Sequence, residues 1–145
     1  MSIIVVGVDG SSGSAKALRF ALEEARLRGA EVKAVGAWHV PAVAYETGWV
    51  PISVDQTDYE KIARAAVEKT MAEAGADDAG VSVTTVIREG NAADVLIAEA
   101  RVADLLVVGS RGLGGFKGLL LGSVSQQCAH HATCPVAIVP NASPA

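Results

Sequence analysis

From one end to the other, short apolar runs alternate with amphipathic helical stretches, and few folds accommodate that order. Residues 3–8, IIVVGV, are apolar with no polar alternation, the pattern of a parallel strand covered on both faces. The run stops at Asp9. Gly10, Ser11 and Ser12 then supply turn and cap candidates for a helix whose Leu18, Ala21, Leu22 and Ala25 recur at helical spacing, and Gly29 closes it. A second strand is predicted over 31–40, less apolar at its start. The next helix is predicted over 56–74, with Ala63, Val67, Thr70, Met71 and Ala74 along one face and charges on the other. After the break from Gly75 to Gly80 come a strand over 81–87, a turn at Arg88, Glu89 and Gly90, and a helix carrying Ala92, Val95, Leu96 and Ala100. A strand over 105–108, a helix over 123–131 and a strand over 135–139 complete a β-α-β-α-β-α-β-α-β order. That order predicts an α/β fold, a doubly wound parallel sheet of five strands with helices on both faces. Its 145 residues suit one core, so 1–145 is read as a single domain.

In such sheets ligands bind beyond the carboxyl ends of the strands, where the strand order reverses. Asp9 and Gly109 both follow or end apolar strands, and would face one crevice if the first and fourth strands were neighbours. The fourth strand leads into a glycine-rich stretch, GSRGLGGFKGLLLGSVS over 109–125, whose spacing G-x2-G-x9-G-S falls on Gly109, Gly112, Gly122 and Ser123. Gly114, Gly115 and Gly118 lie between them, with the cations Arg111 and Lys117. Glycine admits positive φ and lets an anion approach main-chain N–H groups without a Cβ in the way. A helix starting at Gly122 would leave its first N–H groups unpaired at the positive end of the helix dipole, an arrangement suited to phosphate. Turn-making or capping accounts for any one of these glycines taken alone, though less readily for the whole constellation. Asp9 stands open between two roles: accepting from a ribose hydroxyl or base amine, or capping the next turn.

Composition removes several alternatives. A net charge of −4 and a pI near 5.3 argue against a nucleic-acid surface, which needs many Lys and Arg contacts to phosphate. A polyphosphate would have to be held locally, by oriented N–H groups, an Arg or Lys, or a divalent cation. The G-x4-G-K-S/T loop is absent, and in the glycine stretch Lys117 stands where G-x-G-x-x-G needs its third glycine. There is no G-x-S-x-G elbow, and His39, His130 and His131 have no evident nucleophile partner. Cys128, His130, His131 and Cys134 lack the paired spacing of structural zinc sites, so no protein-held metal is predicted. The opening MSIIVVGVDG has no basic start or cleavage site, and no apolar run approaches the roughly twenty residues that span a bilayer. A cytoplasmic protein away from membranes is expected. Residues 41–54, with Pro41, Tyr45, Trp49 and Pro51 close to Trp38, read either as a binding loop or as aromatics packed on a sheet edge.

These residues together resemble a single-domain universal stress protein of the ATP-binding type. The likeness rests on the opening IIVVGVDGS, His39 and Val40 at a strand end, the turn from Gly90 to Val95, the glycine pattern, and the ending CPVAIVP. The resemblance implies strand order 3-2-1-4-5, which makes the first and fourth strands neighbours. It also implies that Asp9 and Val40 flank adenine and ribose with Val8 as apolar wall, and that Gly109 and Gly112 lie along ribose and α-phosphate. Gly122, Ser123, Val124 and Ser125 would offer N–H and hydroxyl groups to the β- and γ-phosphates, and Mg2+ would accompany ATP. Arg111 is added from its charge alone. A homodimer is implied too, and an exposed last strand would favour it independently, through unpaired backbone groups at the sheet edge. The expected function is a regulatory ATP-binding module in stress response, with slow hydrolysis at most, read by its own dimer or by a regulatory protein. Two other classes stay open: an adenylyl or phosphoryl-transfer enzyme on a related fold, and a ligand-free protective scaffold.

Overall fold

The computed structural model describes residues 2–39, 56–111 and 121–141. Its elements run β1 (Ile3–Gly7), α1 (Ser12–Arg28), β2 (Glu31–Trp38), α2 (Gln56–Glu73), β3 (Val83–Glu89), α3 (Ala92–Glu99), β4 (Leu105–Gly109), α4 (Ser123–His131) and β5 (Val136–Val139). Single 3-10 turns follow α2 (Ala76–Asp78) and α3 (Ala100–Val102). The five strands form one parallel sheet in the order β3-β2-β1-β4-β5. Ile4 pairs with Val32 on one side and Leu105 on the other, so β1 is the central strand.

The chain winds outward from β1 to β3, then returns past β1 to β4. Because parallel crossovers keep one hand, the helices made before and after that reversal fall on opposite faces. Burial shows this directly. Ile4, Val6, Val32, Ala34, Leu105 and Val107 pack with Leu18, Ala21 and Leu22 of α1 and Val67 of α2. The alternate residues Val5, Val35, Leu106 and Val108 pack with Val95 and Leu96 of α3 and Cys128 of α4. Both faces of β1 and β4 are thus apolar, which is why those strands read as unbroken hydrophobic runs. Each fully buried Ile, Leu or Val is worth roughly 1.5–3 kcal/mol.

Strand limits differ from expectation for reasons that lie in pairing. β3 occupies Val83–Glu89 rather than 81–87, because its register with β2 runs from Val32↔Val83 to Trp38↔Glu89. As an edge strand it keeps polar residues exposed, and Arg88 pairs with Glu99 at 3.1 Å. β2 ends at Trp38, whose carbonyl accepts from the Gly90 N–H at 2.7 Å, so His39 falls outside the strand. Val8 lies beyond β1 yet still donates its N–H to the Val35 carbonyl at 2.9 Å. The aromatic loop at 41–54 lies outside the described residues.

Candidate functional site

The reversal between β1 and β4 brings their carboxyl ends side by side, and the helices that follow them, α1 and α4, both begin at that edge of the sheet. The turn after β1 needs glycine, since Gly10 has φ 87°, a conformation in which a Cβ is strained. Asp9 is exposed and organises the turn: its Oδ1 accepts from the Ser11 N–H at 2.9 Å and the Ser11 hydroxyl at 2.5 Å. Ser11 in turn caps α1, accepting from the Ser14 N–H at 3.1 Å. Asp9 therefore holds a turn from a position at the strand end.

Gly109 closes β4, and its backbone is extended enough that positive φ plays no part. Space is the reason for glycine there. A Cβ at Gly109 would lie 3.1 Å from both C and O of Gly13, so the first turn of α1 rests on the end of β4. Glycine here admits a neighbouring backbone. Ser110 follows, buried, then Arg111, half-buried and in no ion pair among the described residues.

The start of α4 differs from the starts of α1 and α3, the other two whose caps are described. Ser11 caps α1 and Asn91 caps α3, whose Oδ1 accepts from Ala93 N–H at 3.0 Å and Asp94 N–H at 3.4 Å. Gly122 caps α4 with no side chain to offer, at φ −80° and ψ 173°. The N–H groups of Ser123, Val124 and Ser125 thus receive no capping side chain from it, and they sit at the positive end of the helix dipole. Gly122's own N–H is engaged, donating to the Ser110 carbonyl at 2.6 Å. Ser125 is buried, and its hydroxyl reaches the Ser110 carbonyl at 2.9 Å and the Gly122 carbonyl at 3.0 Å. Ser123 is exposed, and Val124 is half-buried against the α3 side of the core.

Of the residues singled out in the sequence, Asp9, Gly109, Arg111, Gly122, Ser123, Val124 and Ser125 therefore lie at one edge of the sheet. Val8 is there too, but its side chain is only 4% exposed and belongs to the core under α1, leaving little side-chain surface for a ligand. Val40 and Gly112 lie outside the described residues. Sequence reading missed Ser110, Gly13, Lys16 and Asn141. Lys16 donates from Nζ to the Asn141 carbonyl at 2.6 Å, and Asn141 donates its N–H to Ser110 Oγ at 3.2 Å. A small polar residue directly after a buried strand was the one local signal, and it does not name partners 31 residues away.

The remaining titratable cluster is not at this edge. Cys128 is buried in the α3–α4 side of the core, and burial pushes its thiol up to about 11, while His130 and His131 are exposed. Among the described residues no group of three or more His, Cys, Asp or Glu is placed to hold a metal ion. Among those residues, too, no helix is long and apolar enough to cross a membrane.

A profile of the universal stress protein family matches residues 1–140. A universal stress protein of Mycolicibacterium smegmatis is 36% identical over 137 residues, covering 94% of this chain and 45% of its own length. The chain thus spans about half the length of that relative, as it does of several mycobacterial ones. Universal stress protein YxiE of Bacillus subtilis is 36% identical, with 94% of this chain and 97% of that protein covered. Among solved structures, a universal stress protein in complex with cAMP superimposes with a TM-score of 0.70 at 29% identity, covering 95% of this chain and 96% of its own.

Proposed function

The chain belongs to the universal stress protein family, and on that premise we propose that it is a regulatory adenine-nucleotide-binding protein, with ATP and Mg2+ as its ligand. The observation that carries this reading is the glycine-capped start of α4, held on Ser110 just after β4, the strand that neighbours β1. A helix that begins without a capping side chain leaves donors for an anion, and here they follow a strand end at the sheet's reversal point, where ligands of such folds bind. The Ser123, Val124 and Ser125 N–H groups and the exposed Ser123 hydroxyl take the terminal phosphates. The N–H of Gly122 stays on Ser110, and the Ser125 hydroxyl holds the helix start rather than the ligand. Gly109 and Gly112 lie along ribose and α-phosphate, and Arg111 adds positive charge. Asp9 and Val40 form the adenosine end, with Val8 behind them in the core. Residues 109–125 contain no Asp or Glu, so Mg2+ would be held chiefly by the phosphates and water. The adenine class is supported by the 29%-identical relative solved with cAMP.

The protein acts in the cytoplasm as a homodimer. β5 supports this, because it is the edge of the sheet beside β4 and its residues are only half-buried. A dimer, or a regulatory partner, reads the bound state, and hydrolysis is slow at most.

The test begins by denaturing freshly purified protein and identifying released nucleotide by chromatography. The emptied protein is then titrated with ATP and magnesium while thermal unfolding is followed. Copurified adenine nucleotide and a stabilisation of about 2.7 kcal/mol at a hundredfold excess over Kd are expected. No nucleotide and no shift at millimolar ATP would overturn the proposal and leave the glycine stretch a structural turn. Phosphate release within minutes would instead make the protein an enzyme.

A further inference from the structure

Ser110 has every backbone polar group engaged, and its bonds converge on the start of α4. Its carbonyl accepts from the Gly122 N–H at 2.6 Å and the Ser125 hydroxyl at 2.9 Å. One peptide oxygen thus fixes both the cap and the third residue of the helix. The Ser110 N–H donates to the Val139 carbonyl at 2.9 Å, the last residue of β5, and Ser110 Oγ accepts from the Asn141 N–H at 3.2 Å. Asn141 is gripped from its other side by Lys16, whose ammonium reaches the Asn141 carbonyl at 2.6 Å. Lys16 makes no ion pair among the described residues.

The sheet itself does not require these last contacts. The β4–β5 ladder is complete at Gly109↔Val139, two residues before Asn141. What Asn141 joins is the set of supports around the phosphate end. A Cβ at Gly13 would lie 2.9 Å from the Arg111 carbonyl oxygen and 3.7 Å from Cγ and Oδ1 of Asn141. The first turn of α1 is therefore packed against the backbone after β4 and the Asn141 side chain after β5.

Resting on the assignment of phosphate to α4, the geometry points to Ser110 as the positioning residue of that site. It also makes Pro140 and Asn141 a strap whose seating on Ser110 and Lys16 sets nucleotide affinity. Phosphate bound at the Ser123, Val124 and Ser125 N–H groups fixes α4, which holds Ser110 by its carbonyl, and Ser110 in turn holds the strap by its Oγ. The coupling runs equally in reverse, because a binding linkage is reciprocal. A partner or a chain extension that displaced residues 140–141 would release nucleotide.

The experiment uses the full chain with Lys16→Met, Ser110→Ala and, as a control, Gly36→Ala on β2, where β1 and β4 separate it from β5 and an added Cβ would lie 2.7 Å from Val67 Cγ2. ATP affinity is measured by calorimetry, and exchange of the Asn141 amide by NMR with and without ATP. In the unsubstituted protein ATP should slow Asn141 exchange. Lys16→Met and Ser110→Ala should each speed that exchange and weaken ATP binding about fivefold or more, the low end of coupling between linked sites. Gly36→Ala should lower the melting temperature and leave the affinity alone, which separates positioning from general stability. Faster Asn141 exchange with affinity within about twofold of the unsubstituted protein would overturn the coupling while leaving the nucleotide assignment intact. Unchanged Asn141 exchange in Lys16→Met would overturn the strap itself. Failure of the unsubstituted protein to bind any adenine nucleotide would remove the underlying assignment and this inference with it.

Discussion

Gly122→Asp separates the two things a helix start can do, because capping and anion binding use the same N–H groups and respond with opposite signs. Gly122 is at φ −80° and ψ 173°, the extended conformation of an ordinary N-cap, so aspartate fits there without backbone strain. Its carboxylate would accept from N–H groups of the first turn. Replacing a glycine cap contributes a few tenths of a kcal/mol, and a negative charge at the helix dipole roughly 0.3–1 kcal/mol. The fold should therefore gain on the order of 0.5–1.5 kcal/mol, about 1–5 °C in melting temperature for a chain of this size. Nucleotide binding should move the other way. Two unit charges about 4 Å apart interact by about 4 kcal/mol at an effective dielectric near 20, and salt lowers that figure. A third of it corresponds to about a tenfold loss, so ATP affinity should fall at least about tenfold. Thermal unfolding without ligand and calorimetric titration with ATP give both numbers from one preparation. A higher melting temperature with unchanged affinity would refute the placement of phosphate at α4. A lower melting temperature would refute the capping argument.

Gly109→Ala puts a Cβ 3.1 Å from the Gly13 backbone, which cannot swing aside as a side chain would. A loss of about 1–3 kcal/mol is expected in urea unfolding, and unchanged stability would show that the α1 turn yields freely. Asp9→Ala removes the acceptor for the Ser11 N–H and hydroxyl. Stability should fall by about 1 kcal/mol. ATP affinity should fall less than in Gly122→Asp, and full retention of affinity would leave Asp9 a turn residue only. Burial raises the Cys128 thiol from its ordinary value of 9.0 to about 11, so its contribution to stability is present below pH 9 and is lost as pH climbs toward 11. At pH 8 its thiolate fraction should be about a hundredfold below that of an ordinary thiol. Iodoacetamide followed by mass spectrometry should modify Cys134 in the native protein, and Cys128 only when urea is added. Equal native labelling of the two would refute the burial argument.

The element order and the two-sided burial of the sheet were legible in the sequence. Hydrophobic periodicity is local, and Leu18, Ala21, Leu22 and Ala25 announce a helix face without knowledge of what covers it. The unbroken run of β1 likewise announces a strand buried on both sides, because either face alone would have left alternate positions polar. The order β3-β2-β1-β4-β5 came from likeness to a family, since periodicity carries no information on which strands are neighbours. The shift of β3 to Val83–Glu89 was beyond local pattern for the same reason, being set by hydrogen bonds to β2.

At the site, the residues at the two strand ends and the glycine that starts α4 were legible along the chain. Those follow from where apolar runs stop and from residues whose chemistry is intrinsic, glycine having no side chain to cap with. The packed fold sets what each does. It turned the Gly122 N–H and the Ser125 hydroxyl inward onto Ser110, tied the Asp9 carboxylate to Ser11, and packed the Gly13 backbone on the Cβ side of Gly109. It also joined Lys16 and Ser110 through Asn141, more than a hundred residues from the first and 31 from the second. A hydrogen-bonding group is satisfied by whatever the fold brings within about 3 Å. Separation along the chain does not predict that neighbour.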